Sequence, residues 1–238
     1  MVTATIEGKH PVFEALIANY PIFKIFICRY DDDISKIISL AKEKKIPYEF
    51  VSKNYIRKIA TIKANQGIVA FAKKREYKTL DDILEKGKFI ILVDRVTDPQ
   101  NFGAIMRIAD GAGASGIIIP KKESVSLTAT VAKASAGAIE HIPVVAVKNM
   151  KKTILKLKSI GIRIICADMH GEKFYYDEEL KGDVGIVIGS EDKGISEKIK
   201  KVCDSIVKIP MIGKGKSLNS AIATAIICYE KVRQENLI

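Results

Sequence analysis

From Thr79 onward the chain alternates short apolar runs with longer stretches of helical periodicity, and this alternation restricts the fold more than any other feature. Residues 89–93, 116–119, 143–147, 163–167, 184–188 and 205–209 read as strands. Helices are predicted over 101–109, 128–134, 151–159, 196–202 and 218–234. Most of the strands lack Asp and Glu, as befits strands buried on both faces. The expected architecture is therefore an α/β fold with a mostly parallel sheet and helices on both faces.

Before that alternation lies a smaller α/β unit. Helices are predicted at 10–18, 34–44 and 54–60, and strands at 25–28, 48–51 and 67–71. A charged stretch then breaks the periodicity, so the expected organisation is residues 1–72, a linker at 73–79, and a second domain at 80–238. The formal net charge of +11 is unevenly spread. Residues 1–79 hold 15 Lys+Arg against 8 Asp+Glu, and the remainder holds 24 against 20. A basic module of this kind suits a polyanion, although a lysine-rich solubilising surface produces the same count.

Other classes are set aside by composition. The apolar runs fall far short of the ~20 residues a membrane helix needs. The N-terminus has neither the basic start nor the apolar core of a signal peptide, so a soluble cytoplasmic protein is expected. Cys28, Cys166, Cys203 and Cys228 show no CxxC spacing and sit in apolar segments, which predicts neither a zinc site nor a disulfide. The last helix is apolar on more than one face: Leu218, Ile222, Ile226 and Tyr229 form one stripe, and Ala223, Ala225 and Ile227 widen it. Such a helix is either central to the core or part of a subunit interface.

Three polar islands follow predicted strands: Asn101-Phe-Gly-Ala-Ile-Met-Arg107, Gly189-Ser-Glu191, and Ile209-Pro-Met-Ile-Gly-Lys-Gly-Lys-Ser-Leu-Asn219. Loops leaving the carboxyl ends of parallel strands meet in one crevice, so distant islands can share a site. Two familiar motifs fail. Gly111-Ala-Gly113-Ala-Ser-Gly116 has GxGxxG spacing, but it follows a helix and precedes a strand, the reverse of a dinucleotide site. Gly215-Lys216-Ser217 ends like a P-loop, yet Pro210 stands where the first glycine is needed and supplies no backbone N–H for a phosphate.

Taken together the islands resemble the SpoU (TrmH-like) family of RNA ribose 2'-O-methyltransferases, within the SPOUT superfamily. Asn101 and Arg107, preceded by Asp94 and Asp98-Pro99, match its first motif; Gly185 to Glu191 with Gly194 matches the second. Ile209-Pro-Met211, Ser217-Leu-Asn219 and Tyr229-Glu230 match the third. Gly8 to Leu16 is similar to the opening of the family's small RNA-binding domain, of the type of ribosomal protein L30e. Lys133 to Ala138 resembles the branch acting on a guanosine of large-subunit ribosomal RNA. Ala221 stands where many members carry serine.

The resemblance implies S-adenosylmethionine as cofactor, ribosomal RNA as substrate with transfer RNA as the alternative, a homodimer, and a C-terminal trefoil knot. It implies no metal and no membrane partner. It assigns Asn101, Arg107, Glu191, Ser217 and Asn219 to catalysis, and Gly189, Ile209, Pro210, Met211 and Leu218 to the cofactor. Guanidinium stays protonated in proteins, so Arg107 is expected to clamp a phosphate and steady a developing alkoxide rather than act as a base. His10, His141 and His170 are read as structural or surface residues. A non-catalytic RNA-binding factor for ribosome assembly is the rival of a different class.

Overall fold

The computed structural model describes residues 3–61, 64–73, 75–213 and 217–236. It divides into two compact units, Met1–Glu76 with Leu127–Ala136, and Tyr77–Ser126 with Gly137–Ile238.

The first unit contains β1 (Thr3–Glu7), α1 (Lys9–Ile17), β2 (Ile22–Ile27), α2 (Asp32–Glu43), β3 (Tyr48–Phe50), α3 (Lys53–Ile59) and β4 (Ile68–Lys73). The sheet runs β1-β4-β2-β3, with β4 antiparallel to β1 and β2, and β3 parallel to β2. Helix α2 begins where the Asp31 side chain accepts the Ile34 N–H at 3.1 Å, and it buries Ile34, Ile37, Ile38 and Ala41 along one stripe. Strand β1 has no counterpart in the sequence reading. Its Thr-Ala-Thr-Ile-Glu pattern is weakly apolar, and its pairing with β4 is made across more than sixty residues.

The second unit contains α4 (Leu80–Lys86), β5 (Phe89–Asp94), α5 (Pro99–Gly111) and β6 (Gly116–Pro120), after which the chain makes α6 (Ala129–Ala134). Helix α6 belongs to the first unit: it packs on α1, and Lys133 pairs with the nearly buried Glu14. The second unit resumes with β7 (Val144–Val147), α7 (Met150–Ser159), β8 (Arg163–Ala167), β9 (Lys173–Phe174), β10 (Val184–Gly189), α8 (Glu197–Lys200), β11 (Ser205–Lys208) and α9 (Ser220–Asn236).

All seven strands of the second sheet are parallel, in the order β7-β6-β5-β10-β8-β11-β9. The chain runs outward through β5, β6 and β7, then crosses to the other side of β5, and β10 later enters between β5 and β8. That reversal of strand order opens a crevice at the carboxyl ends. On one face Ile90, Leu92, Ile164, Cys166 and Val187 pack with Ile83, Ile154, Leu157 and Ile199 from α4, α7 and α8. Helices α5 and α9 pack on each other and reach the sheet at β6 and β10. The GxGxxG segment is a turn: α5 ends at Gly111, Gly113 has φ +73°, and β6 begins at Gly116. Among the described residues no helix is long and apolar enough to cross a membrane.

One sequence expectation is overturned. Cys166 on β8 and Cys203, in the turn before β11, form a disulfide with a Cα separation of 6.3 Å. They lie 37 residues apart in sequence and meet because β8 and β11 are neighbours, which spacing alone does not reveal. Cys28 and Cys228 are free; burial pushes the Cys228 thiol up to about 12, consistent with a small apolar filler in α9.

Candidate active site

The crevice is built from four strand ends. Strand β5 leads to α5, which starts at Asp98: its carboxylate accepts the Gln100 N–H at 2.8 Å, and Pro99 occupies the first helical position. Asn101 is thereby fixed in the first turn. Strand β10 leads into the loop 190–196, folded on itself by the Gly194 N–H donating to the Ser190 carbonyl at 2.8 Å. Asp94, buried at the end of β5, accepts the Ser196 N–H at 3.0 Å, and Arg95 donates to the Gly194 carbonyl at 3.2 Å. The first island's strand therefore holds the second island's loop.

Gly189 is required by this arrangement. A Cβ there would lie 2.3 Å from the Gly194 carbonyl carbon and 2.5 Å from the Ile195 nitrogen. Gly189→Ala is expected to push the 194–195 backbone away, at a cost of about 1–3 kcal/mol. In a chain of this length that lowers the melting temperature by roughly 2–4 °C per kcal/mol. An unchanged thermal midpoint would show that the loop yields freely.

The third island joins the first two through hydrogen bonds. Asn219 caps α9 by accepting the Ala221 N–H at 2.9 Å. Its amide nitrogen donates to Asn101 Oδ1 at 2.9 Å and to Glu191 Oε1 at 2.7 Å. Glu191 Oε1 also accepts from Asn101 Nδ2 at 2.8 Å and from the Ser220 N–H at 3.0 Å. One carboxylate oxygen thus gathers donors from two segments, in which Asn101 and Asn219 stand 118 residues apart. Among the described residues, Glu191 Oε2 accepts no hydrogen bond.

Beside this knot of hydrogen bonds lies a cavity of about 310 Å³, within the range of small-ligand sites. Gly189, Glu191, Ile209, Met211, Ser217 and Leu218 line it. Asn101 and Asn219 are attached to it through Glu191 without lining it. Pro210 is exposed and also outside the lining, as is Arg107, exposed on α5 with no polar partner among the described residues. Lys214, Gly215 and Lys216, the P-loop-like part of the third island, lie outside the described residues.

Sequence reasoning missed one wall. Asp168, Met169 and His170 follow β8 and line the cavity, together with Lys200 from α8. Lys200 Nζ sits 2.7 Å from Asp168 Oδ2 and 3.1 Å from Glu197 Oε1. Burial opposes its charge, but the hydrogen bonds to these two carboxylates prevail and hold its ammonium above the ordinary lysine range. The other Asp168 oxygen accepts the His170 N–H at 3.0 Å and shapes the turn. The available signal was position at the carboxyl end of a parallel strand, but a lone Asp after a strand also suits any turn. His170, read as structural or surface, faces the cavity.

Comparison with known proteins identifies the family of the fold. The model described as the SpoU rRNA Methylase family matches residues 88–229, and the model for RNA 2'-O ribose methyltransferase substrate binding matches residues 5–78. A Bacillus subtilis protein named for the TrmH family of tRNA/rRNA methyltransferases is 37% identical, over 97% of this chain and 96% of its own. A Staphylococcus aureus relative with the same family name is 38% identical, over 99% and 98%. The SpoU methyltransferase AviRb from Streptomyces viridochromogenes, solved with AdoMet, is 25% identical with a TM-score of 0.65, over 98% of this chain and 90% of its own. An AdoMet-bound rRNA methyltransferase from Sinorhizobium meliloti is 26% identical with a TM-score of 0.66, over 99% and 88%. A trio of strand-end islands drawn to a single carboxylate, and a family match spanning most of the parallel-sheet unit, lead to one conclusion: this chain belongs to the SpoU family of RNA methylases.

Proposed function

We propose that the protein methylates a ribose 2'-hydroxyl of RNA, using S-adenosylmethionine, with a guanosine of large-subunit ribosomal RNA as the target. The observation that carries this reading is the convergence of Asn101, Asn219 and Ser220 on Glu191 at the edge of the strand-end cavity. The lining also suits the cofactor. Ile209 and Leu218 offer apolar flanks for an adenine, and Glu191 and Asp192 supply negative charge for a cationic ligand, while Asp168 is paired with Lys200. When bound, the cofactor supplies an electrophilic methyl group on a positively charged sulfur.

The residues of the chain then have three tasks. Gly189, Ile209, Met211 and Leu218 hold the cofactor, with Pro210 fixing the direction of the chain between two of them. Asn101, Asn219 and Ser217 orient polar groups around Glu191, whose Oε2 remains available for the substrate or cofactor. Arg107 grips a phosphate near the target and stabilises negative charge growing on the ribose oxygen. Since charge is largely cancelled in the transfer, alignment of oxygen, methyl and sulfur provides much of the acceleration.

In this reading residues 1–72 capture RNA, residues 73–79 link, and residues 80–238 carry the chemistry. A homodimer through the α9 face is included, supported by Ile222 and Tyr229, each 51% exposed and one heptad apart on that helix. So is a C-terminal trefoil knot, which requires tight main-chain passes. A Cβ at Gly171 would lie 2.5 Å from the Val207 carbonyl carbon, a pass of the required closeness.

Transfer RNA is the second reading, supported by relatives named for both substrates. Incubation with methyl-labelled S-adenosylmethionine and separated ribosomal and transfer RNAs tests both. Label in the ribosomal fraction, resistant to alkaline cleavage at one guanosine, is expected. Label in transfer RNA alone selects the second reading, and label in neither, with the cofactor bound, selects a non-catalytic RNA-binding factor.

A further inference from the structure

The basic excess of the first unit has a narrower origin than its overall composition suggests. Residues 1–49 hold seven Lys+Arg and seven Asp+Glu, so they are neutral. Residues 50–75 hold seven Lys+Arg and no acidic residue at all. Of these seven, Lys53, Arg57 and Lys58 lie on α3, Lys63 follows it, and Lys73, Lys74 and Arg75 come at and after the end of β4.

Helix α3 lies against the sheet through Ile56, which packs with Phe26 and Val69. Its outer residues Lys53, Asn54, Arg57 and Lys58 are exposed, and among the described residues none of the three cations has an acidic partner. Tyr55, 41% exposed, leans on Phe26 with ring centroids 5.5 Å apart, and Phe71 extends the aromatic group at 5.1 Å from Phe26. Lys24 is spent locally: it pairs with Glu49 at 2.7 Å.

Helix stabilisation explains part of this pattern only. Arg57 and Lys58 occupy the last turn, where cations complement the helix dipole. Lys53 opens the helix, where a cation opposes it, and no residue of the first turn is acidic. A helix selected for its own stability would carry the opposite charge there. Unpaired cations on both ends of one exposed face, with a tyrosine whose ring is braced from below, suit phosphates and a nucleobase or ribose.

We infer that the outer face of α3 is the RNA-gripping surface of the first unit: Lys53, Arg57 and Lys58 contact consecutive phosphates and Tyr55 contacts a base or sugar between them. This rests on the reading of the protein as an RNA methyltransferase and adds the surface that holds the substrate. The α2 side of the unit, where Lys9 pairs with Asp31 and Asp33, is not used.

The test uses the full-length protein and a fluorescein-labelled RNA hairpin with a single-stranded loop, followed by anisotropy across a salt series. Arg57→Gln/Lys58→Gln is expected to weaken binding on the order of tenfold near 0.1 M salt and to flatten the log–log salt slope by about 1.5. Lys36→Gln/Lys42→Gln on α2 removes the same charge and is expected to change neither. Tyr55→Ala is expected to weaken binding with an unchanged slope. Melting temperature and affinity for S-adenosylhomocysteine confirm that each variant is folded. Equal losses for the two double variants, or no loss for the α3 pair while wild type binds, overturn the inference. Competition by polyglutamate as strong as by unlabelled RNA overturns it too, assigning the face to an acidic protein. Failure of the wild type to bind any RNA instead removes the RNA-methylation reading itself.

Discussion

Arg107→Ala is expected to slow methyl transfer on the order of a hundred- to a thousandfold while leaving cofactor affinity nearly unchanged. The reasoning starts from where Arg107 is. It stands on α5 six residues after Asn101, about 9 Å further along the helix axis. It is exposed, makes no polar contact among the described residues, and lines no part of the cavity. Removing it disturbs neither the Glu191 cluster nor the cofactor's proposed walls, so any loss belongs to the RNA side of the reaction. Single-turnover transfer from labelled S-adenosylmethionine measures the rate, and calorimetric titration with S-adenosylhomocysteine measures the cofactor. Arg107→Lys restores the charge without the planar fork and is expected to recover only part of the rate. A parallel collapse of rate and cofactor affinity in Arg107→Ala would contradict a substrate-side role.

Glu191 is expected to show the second largest effect, through a different route. Its Oε1 accepts from Asn101, Asn219 and Ser220, so Glu191→Ala leaves α5 and the start of α9 without their common acceptor. Hydrogen bonds to a charged group contribute ~1.5–3 kcal/mol each when buried, and Glu191 is exposed, so the stability loss should be nearer 1 kcal/mol. The rate should suffer more, on the order of a hundredfold, because small displacements of positioned groups are costly in catalysis. Glu191→Gln keeps an acceptor oxygen in place and should retain the fold, with a rate between wild type and alanine. If glutamine and alanine are equally inactive, charge at Glu191 matters and the hydrogen-bonded geometry alone does not.

How legible this was in the sequence depends on the residue. Strands such as Phe89–Asp94 and Val184–Gly189 announce themselves because burial on both faces demands uninterrupted apolar runs. The three islands could be joined because parallel strands carry their loops to one edge. Helix α4 escaped notice because only Ile83 of its seven residues is buried, although Thr79 and Asp82 form a capping box at its start. The two-residue strand β9 has too little sequence to carry a period. The Asp168–Lys200 pair and the Cys166–Cys203 bond both depend on β8 lying beside β11, a long-range adjacency with no local signature. Pro210 and Arg107 came from motif position, and a motif does not say which way a side chain faces.

Asn219 has one further consequence, for the protein's synthesis. It caps the final helix and, through the same side chain, bonds Asn101 and Glu191. The residues that complete the cavity thus leave the ribosome after the strands they close upon, and domains fold as units while the chain is still being made. A nascent chain can form β5, β8 and β10 early, yet its cavity stays open along one side until α9 is released and docks. The closing of the cavity is thereby tied to the release of α9, and a ribosome stalled shortly before α9 would hold a folded sheet with an unfinished enzyme.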